Sequence, residues 1–77
     1  MVLLDNIKIY CKNENISEKK FEELCGLSVG AVRKWRIGAN RSATVETLEK
    51  IEKGTNNPAP KWITEGGIRE RKHKQKN

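Results

Sequence analysis

Arg33, Lys34 and Arg36 stand within four positions of one another, with Trp35 among them. Guanidinium and ammonium groups in such a cluster pair with phosphate oxygens and with the acceptor edge of guanine. Arg41 follows a few residues on, and residues 24–45 contain no acidic side chain at all. Ser17 and Ser28 carry hydroxyls that cap helices first and donate to phosphates second. Other chemistry finds little material. No nucleophile–base pair and no carboxylate pair is visible, so an enzyme is not expected. Cys11 and Cys25 lie fourteen positions apart without a CxxC, and the single histidine is His73 in a polar stretch. A metal site, a disulfide framework and a cofactor are therefore not expected.

The basic cluster needs elements to carry it. Phe21, Leu24 and Cys25 recur at helical spacing after Ser17, predicting a helix over 17–24 with Ser17 as its cap. Gly26 stands where that helix ends, a position that favours the left-handed conformation. Ser28 is the expected N-cap of a second helix over 28–36, with Val32 and Trp35 inward and Arg33, Lys34 and Arg36 outward. Helix, glycine-containing turn, helix with a basic outer face is the helix-turn-helix layout, whose second helix enters the DNA major groove.

The flanking segments read as further helices. Leu3 or Leu4, Ile7, Tyr10 and Cys11 predict one over 3–13, with Ile9 off the apolar face and exposed. Ile16 packs just ahead of the next helix, as a staple residue does. Residues 39–43 form a loop by composition, and Thr44 caps a helix over 44–53 with Val45, Leu48 and Ile51 inward and Gly54 at its end. Pro58 or Pro60 opens a last short helix over 59–65, carrying Trp62 and Ile63 and broken by Gly66 and Gly67. The expectation is an all-α domain of five helices over residues 1–66, followed by a disordered basic tail over 67–77.

With 77 residues there is room for one domain. The net charge is +6, of which residues 66–77 hold five basic side chains and one acidic, or +4, leaving +2 for residues 1–65. A basic stripe on one helix with a basic tail favours a polyanionic partner. No apolar run is long enough for a membrane span or a signal-peptide core. Two cysteines on apolar helix positions fit a reducing cytoplasm.

At this point the chain resembles the phage repressor and Cro-like helix-turn-helix proteins, of lambda-repressor-like fold. Ile16, Ser17, Phe21, Gly26, Leu27, Ser28, Val32, Trp35 and Gly38 fall in register with the family pattern, and residues 44–51 and 61–66 match its later helices. The match covers about residues 7–66. The resemblance implies a transcriptional regulator in a bacterial cytoplasm, binding double-stranded operator DNA as a homodimer in a phage lysis/lysogeny switch. It places Val29, Gly30, Arg33 and Lys34 at the base-reading positions, with Ser17, Ser28, Arg36 and Arg41 on the same surface. Two departures from the pattern matter. Glu18 replaces a glutamine that would face phosphate, and a carboxylate there repels DNA. Glu22 replaces the small alanine that packs the two motif helices together. Val29 can touch a thymine methyl, whereas Gly30 can read nothing. These departures support an alternative, an anti-repressor or modulator that binds a phage repressor protein through the same surface. An RNA-binding role lacks the exposed aromatics that stack bases.

Overall fold

A computed structural model describes residues 2–38 and 44–69, and among these it holds five α-helices and no strand. They are α1 (Val2–Glu14), α2 (Glu18–Cys25), α3 (Ala31–Arg36), α4 (Val45–Thr55) and α5 (Ala59–Trp62). The expected all-α, five-helix fold is therefore present. Residues 39–43, including Arg41, and residues 70–77, including His73, lie outside the described part. None of the described helices is long and apolar enough to cross a membrane.

Local chemistry sets most of the boundaries. The Ser17 hydroxyl accepts the Lys20 amide at 3.1 Å, and the Thr44 hydroxyl accepts the Thr47 amide at 3.1 Å. Each satisfies one of the amides that a helix start leaves without a partner. Gly26 closes α2 at φ +69°, and the Leu27 amide reaches back to the Glu22 carbonyl at 2.8 Å. The end of α4 differs from expectation. Gly54 lies inside the helix, which runs on to Thr55 and is closed by Asn56 at φ +61°. A Cβ on Gly54 would stand 2.7 Å from the Leu24 carbonyl oxygen and 2.8 Å from the Cys25 Cα. Glycine serves here as a contact surface that lets α4 lie directly against the backbone of α2.

Leu3, Ile7 and Cys11 repeat every four residues along α1 and are buried together. They meet Phe21 and Cys25 from α2, Val32 and Trp35 from α3, Ile51 from α4 and Trp62 from α5. Because α1 touches α2, α3 and α5, its apolar stripe is wide, and Ile9 packs against the core where exposure was expected. Val45 is exposed, not inward, and Ile63 is exposed as well. Val45 is the first residue of α4, and Ile63 already lies beyond α5, which ends at Trp62. Leu24 is also exposed, and Glu22 takes the interior place on α2 instead.

The folded region extends beyond the expected boundary at residue 66. Ile68, assigned by sequence to the tail, is only 6% exposed and belongs to the core. It is held by Asn6, a fully buried polar residue on α1. The Asn6 amide nitrogen donates to the carbonyls of Lys61 at 3.1 Å, Trp62 at 2.8 Å and Thr64 at 3.2 Å. Its oxygen accepts the Ile68 amide at 3.2 Å. One side chain thus partners the Lys61 and Trp62 carbonyls at the end of α5 and docks the segment that follows. Behind α2, Tyr10, Phe21 and Trp62 form a three-ring cluster, with centroids 5.8, 5.5 and 5.6 Å apart taken pairwise.

Candidate nucleic-acid interface

The surface centres on α3, a helix of six residues. Val32 and Trp35 are buried and hold it to the core, while Arg33, Lys34 and Arg36 are exposed. The expected division of this helix into an apolar inner face and a basic outer face is present. Ser17 is exposed at the start of α2 and acts as its cap.

Ser28 does not cap α3. The helix starts three residues later than predicted, and Gly30 is its N-cap residue, at φ +84° and with no side-chain cap bond. Ser28 contributes only its carbonyl, which accepts the Ala31 amide at 3.1 Å. The turn explains Gly30: a residue with a Cβ is strained at this positive φ, although the space around it is open. Val29 precedes it with 79% of its surface exposed, an apolar side chain standing free at the front of the helix.

The cap that Ser28 was expected to supply comes from α2. Glu22 is 5% exposed, and its two carboxylate oxygens accept the amides of Gly30 and Val32, each at 2.9 Å. A carboxylate at this place does more than alter the packing between α2 and α3. It occupies the positive end of the α3 dipole and partners amides that would otherwise be orphaned. At the other end of α3, Arg36 pairs with Glu18. This hydrogen bond and the neighbouring negative charge raise the Arg36 pKa. Glu18 is therefore not a bare carboxylate, because Arg36 compensates its charge and is itself engaged. Four positions apart on α2, Glu18 and Glu22 hold opposite ends of α3.

Cys11 and Cys25 are buried free thiols. Desolvation pushes both up to about 11, with the charge of Glu18 adding to Cys11 and Cys11 adding to Cys25. Both stay protonated at neutral pH and lack the thiolate that metal binding or nucleophilic attack requires. Among the described residues no group of histidine, cysteine and carboxylate side chains could hold a metal ion. An open groove lined by Tyr10, Asn57, Pro60, Lys61 and Arg69 shares no residue with α3.

A family model described as helix-turn-helix, of the Cro/C1 type, matches residues 7–62. The chain belongs to the Cro/C1-type helix-turn-helix family. The match begins inside α1, runs to the end of α5 and includes α2, the turn and α3 in full. It makes this chain a helix-turn-helix DNA-binding regulator. The family is regulatory and not typically enzymatic. No curated protein and no solved structure matches the chain.

Proposed function

We propose that this protein is the operator-binding regulator of a phage lysis/lysogeny switch, acting on double-stranded DNA as a homodimer in the cytoplasm of a bacterial host. The observation that carries this reading is the exposed Arg33–Lys34 edge of α3, borne on a helix whose other face is locked into the core. These two side chains make the base-edge contacts, guanine being the preferred target. Ser17, Ser28 and Arg41 contribute phosphate contacts, and Arg36 does so when released from Glu18. Two reduced, buried thiols suit the cytoplasm.

Selection of bound sequences from a pool of random duplexes tests the reading. Arg33→Ala and Lys34→Ala are expected to lower affinity for the selected duplex by about 1–3 kcal/mol each where a bidentate base contact is lost, and to relax preference at one position. Neither variant should shift the melting temperature appreciably, because both side chains are exposed. Equal wild-type affinity for selected and random DNA at every salt concentration would refute sequence-specific binding by this protein alone.

The exposure of Val29 beside Gly30, which has no side chain, favours a second reading, in which this face binds a phage repressor protein. Val29→Lys separates the two. An unpaired charge is costly in a protein interface but welcome beside phosphates. A partner-binding face should lose capture of a phage repressor in a pull-down, while binding to random DNA is kept or strengthened. Undiminished capture would remove Val29 from any partner surface.

A further inference from the structure

We infer that Glu22 is the positioning residue of the recognition helix: on a helix that Val32 and Trp35 hold to the core, its buried carboxylate, in place of a cap from α3 or the turn, fixes the N-terminal end and with it the pose of the Arg33–Lys34 edge. The inference rests on the reading that this edge binds DNA. With six residues, α3 is far below the length at which a helix holds itself together in water. Its own start supplies no help, since Gly30 has no side chain and the Ser28 hydroxyl makes no cap bond. What remains is Glu22. Both of its oxygens are used, one on the Gly30 amide and one on the Val32 amide. Two bonds from one planar group fix orientation as well as distance, and an ionised acceptor makes each about twice as strong as a neutral one. The carboxylate is buried and rooted on α2 beside Phe21, so its own position is set by the core.

Glutamine is the informative replacement because it keeps the shape. It retains one acceptor oxygen and turns the other into an NH2 group, which must then face an amide donor. One of the two bonds is lost and replaced by a donor–donor clash, while Val32 and Trp35 still anchor α3. The helix is expected to remain but to lose its fixed pose.

Two measurements on Glu22→Gln decide the matter. The first is amide hydrogen exchange of the full chain. Exchange at Gly30 or Val32 should accelerate tenfold or more, while amides in α1 and α4 keep wild-type rates. The second is binding to the duplex selected by wild-type protein and to random-sequence duplex, both followed by fluorescence anisotropy. The ratio of the two affinities should fall about tenfold, with affinity for random duplex changing less than twofold. A merely structural loss behaves differently, lowering both affinities with the folded fraction and leaving the ratio unchanged. Unaltered exchange at both amides, or an unaltered ratio, would overturn the inference. If wild-type protein selects no duplex, the DNA reading of α3 fails, and the exchange data still report whether Glu22 holds the helix. If Glu22→Gln does not fold, Glu22→Asp replaces it. Its shorter carboxylate keeps the charge but cannot reach both amides, so faster exchange at one of them is expected, and protection at both would overturn the inference.

Discussion

Asn6→Asp should strip the protein of much of its stability at neutral pH, although the two side chains have nearly the same size and shape. The Asn6 amide nitrogen donates to three carbonyl oxygens, those of Lys61, Trp62 and Thr64. Aspartate puts an oxygen in that place. Ionised, it brings a buried negative charge against three acceptors. Protonated, it can donate to one of them at most. A buried polar group left without its partner costs about 1–3 kcal/mol, and an unpaired buried charge costs more. Losing the Trp62 bond, which is fully buried, and straining the two partly buried ones should together remove about 4 kcal/mol. A small domain has roughly 5–15 kcal/mol to lose. At about 4–8 °C per kcal/mol, the melting temperature should fall by about 15–30 °C. The variant also has a pH signature. Burial among acceptors raises the folded-state pKa of the new carboxyl above its unfolded value of about 3.9. Relative stability is then greatest below that unfolded value and is lost as pH rises through the folded one. Melting curves of variant and wild type should therefore converge between pH 7 and pH 4. A melting temperature within a few degrees of wild type at pH 7 would show that the Asn6 contacts do not hold the C-terminal turn.

The same residue shows where the sequence stops being readable. Ser17, Gly26 and Thr44 were legible because each acts on a backbone group within four residues of itself. Trp35, Val32 and the basic edge of α3 were legible because helical periodicity separates inner from outer positions. Asn6 acts across 55 to 62 residues of chain, and nothing local records it. The available signal was its place beside Ile7 and three residues after Leu3, a polar side chain set inside an apolar stripe. Glu22 is similar. It adjoins Phe21 on the inward side of α2, and a turn ending in Gly30 leaves the next helix without a cap of its own. Those two facts together call for an acceptor from elsewhere, but neither does so alone. Gly54 was misread as a terminator because a glycine near a helix end and a glycine at a helix crossing look alike until the second helix is in place. Ile68 was assigned to a polar tail on composition, yet a single apolar residue suffices when a buried asparagine receives its backbone.

Trp62→Ala should be the most damaging truncation in the hydrophobic core, and its effect should reach the DNA-binding motif from behind. Trp62 is fully buried at the end of α5, against Phe21 of α2 and Tyr10 of α1. Phe21, with Cys25, anchors the first motif helix in the core, and Glu22 next to it holds α3. Removing the indole opens a cavity beneath this pair, and truncating a buried aromatic typically costs about 3–5 kcal/mol. The melting temperature should fall by roughly 12–40 °C on the scale that applies to domains of this size. Trp62→Phe should be distinctly milder. It keeps a ring in the three-ring cluster, and it removes a buried indole N–H that has no acceptor among the described residues. Denaturant unfolding followed by circular dichroism measures both variants, and Trp35 remains as a fluorescent reporter on α3 in each. Near-equal losses for alanine and phenylalanine would mean that a smaller ring cannot take the place of the indole and that the ring cluster as such contributes little. A phenylalanine variant close to wild type, beside a largely unfolded alanine variant, would establish that the support of α2, and through Glu22 of α3, is the packed ring itself.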